Sequence, residues 1–262
     1  MRLPSAAATV TALALFPASA SAQPACAAAQ FSAYAALGAS GCTIGGVRVS
    51  AARVPLGVIA TYAERAVFTP FMETLGDGRR LVGFDVAWSA PLSVPDPARP
   101  TVANLAAWMG AVDLHTDAGA FVGATVLDVR ASFTQGVGTP AGAYWAEGAA
   151  VMYAVGSPGV GSGAARSATR RVGPGCMGLA CPSFPMVDFT PAAAITGQFR
   201  GAVAGLREQD ANGGLSMLSG MRAGFVIDPT AAVTVIPEPT PGVALALGVT
   251  TLVVGVRVRR RA

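Results

Sequence analysis

Lysine is absent from this chain, and charge of either sign is sparse. All 18 basic residues are arginine, and charged residues make up 12% of the chain against 52% for hydrophobic ones. Globular proteins usually carry about twice that share of charge. Disordered acidic tails, coiled coils and charged helical bundles need dense charge, so these classes are excluded. The missing lysine also excludes a Schiff base, a serine–lysine dyad and a phosphate-binding P-loop.

Histidine is almost absent too, and no serine lies in the Gly-x-Ser-x-Gly pattern of many hydrolases. The one histidine, His115, has Asp113 and Asp117 two residues to either side. Alternate residues of a strand share a face, so the three side chains could converge on a cation or form an acid–base pair. We favour a polar strand end instead, and we expect no metal and no cofactor.

Paired carboxylates for glycoside hydrolysis are not excluded, because their separation depends on the fold. Glu147 is the best single candidate, since Tyr144 and Trp145 precede it and aromatic rings stack on sugars. Asp188 is a second carboxylate for such a site. An ordinary strand with an acid at its rim is the alternative that we favour. We therefore assign no catalytic residue and predict that the protein is not an enzyme.

The N-terminus has the layout of a secretory signal peptide. Arg2 supplies the positive charge, residues 6–16 form an apolar run, and small residues follow at Ala20, Ser21 and Ala22. We expect cleavage after Ala22, so that residues 1–22 are removed. The alternative is an alanine-rich helix that belongs to the fold.

Four cysteines, Cys26, Cys42, Cys176 and Cys181, all lie in the part that would be exported. An even number of cysteines outside the cytoplasm indicates two disulfides, for which three connectivities are possible. We favour Cys26–Cys42 and Cys176–Cys181, because each pair is close in sequence. A zinc site is the rival interpretation, but the spacing of four residues between Cys176 and Cys181 fits it poorly.

The C-terminus combines three features in order. Pro237, Glu238 and Pro239 come first, and an uncharged apolar segment follows at residues 242–256. As a helix this segment reaches roughly 22 Å, so it would span a bilayer only with local thinning. Clustered arginines beyond an apolar segment place that end in the cytoplasm. These arginines are Arg257, Arg259, Arg260 and Arg261.

This arrangement resembles the PEP-CTERM sorting signal of Gram-negative bacteria, here at residues 236–262. The resemblance implies recognition by an exosortase, a membrane protease that removes the tail, after transient anchoring in the membrane. It also implies a cell-surface or extracellular location in a bacterium that makes exopolysaccharide or biofilm. A plain anchor that is never processed remains the alternative.

The basic isoelectric point of about 9.2 belongs to the two ends of the chain. Their removal takes away five arginines and one acid and leaves a body close to neutrality. Nucleic-acid binding needs a basic patch on the folded domain, so we do not expect it. The one local basic cluster in the body, Arg166, Arg170 and Arg171, is interpreted as part of a solvated loop.

Residues 23–235 are predicted to form one mainly β domain, an antiparallel β-sandwich with one or two short helices. Alternating apolar residues favour strands, and glycine- and proline-rich turns separate them. The predicted strands begin at Val47, Leu81, Ala111, Phe121, Tyr144, Val151, Met186 and Ala223, with residues 121–133 as a bent strand or a hairpin and a break centred on Gly148. Helix is expected at residues 102–109 and 195–207, although glycine weakens the second.

The sequence therefore predicts an exported, non-enzymatic protein of the cell surface or extracellular matrix. Its role would be structural or adhesive, next to exopolysaccharide. The alternative is a surface hydrolase that acts on matrix polysaccharide.

Overall fold

A computed structural model describes residues 23–54, 65–94, 105–136, 144–154, 166–174, 176, 184–205 and 214–232. Within these residues the chain forms twelve strands and one short helix. In chain order these are β1 (Ala29–Gln30), α1 (Phe31–Ala36), β2 (Cys42–Ile44), β3 (Val47–Arg53), β4 (Ala66–Thr74), β5 (Arg80–Val94), β6 (Leu105–Thr116), β7 (Ala120–Thr134), β8 (Trp145–Ala154), β9 (Arg166–Val172), β10 (Met186–Ala192), β11 (Ala194–Ala204) and β12 (Leu215–Asp228). The predicted signal peptide and sorting signal lie outside the described residues.

The strands form two six-stranded antiparallel sheets that pack as a β-sandwich, which confirms the predicted architecture. The first sheet has the order β1-β4-β5-β12-β7-β10, and the second has the order β2-β3-β6-β11-β8-β9. In each sheet the middle strands come from distant parts of the chain: β12 pairs with β5 and β7, and β11 pairs with β6 and β8. The centre of each sheet therefore forms only when distant segments meet.

Apolar side chains that alternate along the strands fill the space between the sheets. Val82, Phe84, Val86 and Trp88 share the inner face of β5 and are buried, as the alternation predicts. Aromatic rings meet across the sandwich: the centroids of Phe84 and Phe199 are 5.5 Å apart with the rings nearly perpendicular. Edge-to-face contacts of this kind stabilise a core beyond the burial of area alone.

Both expected helices are wrong in the described residues, and β strands take their place. Residues 105–109 belong to β6, and residues 195–204 belong to β11. Alanine suggested helix in β11, although glycine weakened that expectation, and the glycines make room for aromatic rings of the other sheet. A Cβ on Gly201 would lie 2.5 Å from the ring of Trp88, and a Cβ on Gly197 would lie 2.5 Å from the ring of Phe225. Tertiary packing has overridden local propensity here.

The structure selects one of two alternatives for residues 121–133, and two further expectations need correction. Residues 121–133 belong to one continuous strand, β7, and not to a hairpin. The expected break at Gly148 does not occur, since β8 runs unbroken through it. The basic cluster of Arg166, Arg170 and Arg171 lies in β9 and not in a loop. The one helix in the described residues, α1, was not predicted; it buries Phe31 and Tyr34 against the core.

Arg80 ties the two sheets together at one end of the sandwich. Its Nη1 donates to the carbonyl of Gly45 at 3.4 Å, and its Nη2 donates to the carbonyl of Ala118 at 3.2 Å. Gly45 and Gly46 form the tight turn between β2 and β3, where both have the positive φ that glycine tolerates. Strand β12 also ends here, because Ile227 pairs with Arg80. We call this the Arg80 end.

Candidate functional site

The centre of the second sheet carries polar side chains on its outer face, where β3, β6, β8 and β11 lie side by side. Thr196 pairs in register with Asp113 on one side and Tyr153 on the other. Gln198 and Arg200 follow along β11 on the same face, because alternate residues of a strand point the same way. We call this set the polar cluster: Arg53, Asp113, Tyr153, Thr196, Gln198 and Arg200.

A β-bulge brings Arg53 into the polar cluster. The register of β3 against β6 shifts between Ser50 and Arg53, and Ala51 within the shift has a φ of 48°. An extra residue in one strand turns the following side chain to the opposite face. Arg53 therefore points outwards, and its Nη1 donates to Asp113 Oδ1 at 3.0 Å. Backbone strain of this kind often accompanies functional sites.

One half of the polar cluster satisfies its own hydrogen bonds. Thr196 Oγ1 donates to Asp113 Oδ1 at 2.7 Å and accepts from Arg53 Nη2 at 3.2 Å. Asp113 thus neutralises the charge of Arg53, and the Thr196 hydroxyl is hydrogen-bonded to both of them. Because the carboxylate is already engaged by two donors, this half is a fixed support and not a cation site.

The other half leaves hydrogen-bond donors unused. The hydroxyl of Tyr153 donates to Gln198 Oε1 at 3.2 Å, which sets the orientation of the amide. Gln198 is 2% exposed, and its Nε2 has no acceptor. The Nε of Arg200 is likewise buried without an acceptor. Burial raises the pKa of Tyr153, and the nearby positive charge of Arg200 acts in the opposite direction.

The histidine and its two aspartates do not converge. His115 Nδ1 lies 3.3 Å from Asp117 Oδ1, but Asp113 turns to Arg53. In the part of the chain that the structure describes, no group of three histidine, cysteine, aspartate or glutamate side chains could hold a metal ion. The side chains at this end of β6 thus form separate pairs.

Glu147 is held in a salt bridge on the same outer face. Its Oε2 accepts from Arg171 Nη2 at 2.7 Å and from Arg171 Nε at 3.2 Å. The guanidinium of Arg171 also lies 4.2 Å from the centre of the Trp145 ring and covers that face of the ring. Tyr144 is buried on the inner side. The alternative of two aromatic rings beside a free carboxylate is therefore not formed.

Asp188 and Glu147 lie in different sheets. Asp188 sits in β10 of the first sheet and is exposed, while its neighbours Val187 and Phe189 pack against the core. Glu147 faces outwards from the second sheet. The structure therefore does not bring these two carboxylates to one face.

The disulfide between Cys26 and Cys42 is present and fastens the segment before α1 to β2. Beside it lies a cavity of about 210 Å³ with largely apolar walls, where the Tyr34 hydroxyl donates to the carbonyl of Ala27 at 2.6 Å. Cys176 is also disulfide-bonded. Cys181 and the sorting-motif residues lie outside the described residues, so the second pairing and the sorting motif stay predictions.

The chain matches no family model, no curated protein and no solved structure. Among the described residues, no helix is long and apolar enough to cross a membrane.

Sequence reasoning did not find the polar cluster, although one signal was present. Thr196, Gln198 and Arg200 alternate with Gly197 and Phe199, which is the period of a strand with one polar face. The assignment of helix to this segment hid the pattern.

Proposed function

We propose that this chain is an exported β-sandwich protein, sorted by its C-terminal tail and held at the cell surface or released into the extracellular matrix. Its role is structural or adhesive, in contact with exopolysaccharide. The observation that carries the proposal is the order of three elements within residues 236–262: Pro237-Glu238-Pro239, an apolar segment, and four arginines. The apolar segment suits insertion into the membrane, and the arginines favour a cytoplasmic position for that end.

Two further observations support export. The Cys26–Cys42 disulfide suits an oxidising compartment, since disulfides rarely persist in the cytoplasm. The signal-peptide pattern of residues 1–22 supplies the route out of the cell. An exosortase is the partner that the tail would require.

The test is the intact mass of the protein from culture medium and from membranes. The host is a Gram-negative bacterium with an exosortase, and the same strain without that enzyme is the comparison. We expect a product that begins at Gln23 and ends near Pro237-Glu238-Pro239, formed only when the exosortase is present. A Glu238→Ala variant should keep its tail. The conservative Arg259→Lys variant retains the positive charge and should be processed normally.

Retention of residues 257–261 on the wild-type protein in the strain with exosortase would contradict the proposal. The protein would then be a surface protein with a permanent anchor.

A further inference from the structure

We propose that Gln198 and Arg200 form a binding site for a carboxylate, and that its ligand is an acidic sugar of the uronic acid class. The choice of a sugar rests on the proposed function, whereas the carboxylate site rests on the geometry of the polar cluster alone.

The first argument is the unused donor of Gln198. A buried donor without an acceptor costs about 1–3 kcal/mol, and native proteins carry few of them. Tyr153 fixes the amide of Gln198 by donating to Oε1. The amide therefore cannot rotate to find an acceptor for Nε2 without losing that hydrogen bond. A ligand oxygen at Nε2 would satisfy it.

The second argument is the charge of Arg200. The other arginines at the centres of the two outer faces each have an acidic partner: Arg53 has Asp113, Arg130 has Asp85, and Arg222 has Glu73. Among the described residues Arg200 forms no salt bridge and no side-chain hydrogen bond. The polar cluster therefore carries one uncompensated positive charge, which favours an anionic ligand over a neutral one.

The third argument is the placement of the two donors. Gln198 and Arg200 point to the same face and are separated along β11 by roughly 7 Å. In register Gln198 lies between Ala111 and Val151, and Arg200 lies between Met109 and Ala149. A guanidinium binds a carboxylate with two parallel hydrogen bonds, and the amide can hold a neighbouring hydroxyl or ring oxygen. A uronic acid offers both groups.

The test is isothermal titration of the full-length protein with glucuronate, glucose and acetate. We expect saturable binding of glucuronate, with glucose and acetate each at least about tenfold weaker, because each lacks one half of the ligand. Polygalacturonate and neutral dextran should show the same preference for the carboxylated polymer.

Three variants assign the binding to the polar cluster. Gln198→Glu keeps the acceptor for Tyr153 and replaces the donor by a negative charge. Arg200→Gln removes the positive charge. Each variant should weaken glucuronate binding at least about tenfold. Arg166→Gln is the matched control, because it removes the same charge from an exposed position of the same sheet. Its binding should stay within about twofold of wild type. If Arg200→Gln fails to fold, Arg200→Lys keeps the charge and should still weaken binding by loss of the planar fork.

The absence of saturable glucuronate binding would overturn the proposal, and so would an equal loss in Arg166→Gln and Arg200→Gln. Equal affinity for acetate and glucuronate would overturn the assignment to a sugar. The masses in the sorting experiment do not depend on Gln198 or Arg200. A failure of sorting and a failure of binding are thus separate results.

Discussion

Gly201 and Trp88 pack against each other across the sandwich, so a larger side chain at position 201 would require the indole ring of Trp88 to move. The indole ring occupies the space that a side chain on Gly201 would need. Trp88 is itself buried and touches Trp108, with ring centroids 5.9 Å apart. A well-packed core resists added volume, since neighbouring side chains must leave their rotamers.

Gly201→Ala should therefore destabilise the protein by about 1–3 kcal/mol through overpacking. Urea denaturation monitored by tryptophan fluorescence measures the change. Gly76→Ala is the matched control, because a Cβ there meets nothing within 4 Å. A Gly201→Ala variant as stable as wild type would contradict the close packing of Gly201 against Trp88.

Tyr34 makes the folded protein sensitive to alkaline pH. Burial raises its pKa to about 12, against about 10 in the unfolded chain. Between these values the unfolded state releases the phenolic proton while the folded state keeps it. Stability from this residue is therefore complete below pH 10 and is lost as the pH rises towards 12.

Tyr34→Phe should flatten the dependence of unfolding free energy on pH between about 10 and 12. Below pH 10 the variant should be less stable by about 1 kcal/mol, because the hydrogen bond to Ala27 is lost. Urea denaturation at a series of pH values tests both effects. A slope equal to that of wild type would show that Tyr34 is not the group responsible.

The segment before α1 depends on a single covalent link. It joins β2 through the Cys26–Cys42 disulfide and through an isolated parallel bridge between Ala25 and Thr43. Both attachments hold the first described residues against the second sheet, while β1 pairs with β4 of the first. This segment therefore connects the two sheets at their edges.

The double variant Cys26→Ser, Cys42→Ser should lose about 3 kcal/mol of unfolding free energy, the value expected for a loop of this length. Urea denaturation under non-reducing conditions measures the loss, and leaves the disulfide of Cys176 intact. A change below about 0.5 kcal/mol would mean that the bridge and β1 hold the segment without the disulfide.

Strands with clear alternation were predictable, whereas strands rich in glycine and alanine were not. In β5 the large residues at every second position identify the inner face without further information. In β11 the inner face includes Gly197 and Gly201. The apolar groups that fill the space at these glycines are the rings of Phe225 and Trp88, which belong to other strands. The local sequence of a strand does not predict which aromatic ring of the opposite sheet packs against its glycines.

The polar cluster shows the same limit at the level of the whole molecule. Arg53, Asp113 and Thr196 lie far apart in the chain and meet only because β6 separates β3 from β11 in the sheet order. The bulge at Ala51 then decides that Arg53 faces outwards. Neither the strand order nor the bulge has a signature in the sequence, so the contact of Arg53 with Asp113 and Thr196 could be found only in three dimensions.

The Arg80 end distinguishes one end of the sandwich from the other. The chain leaves β12 at Asp228 on this end, and the proposed sorting signal follows in the sequence. The strand ends at Val94, Thr134 and Ala204 lie at the opposite end. Gln198, midway along β11, then sits on the flank. A polymer that binds to this outer face would contact the side of the sandwich and neither of its two ends.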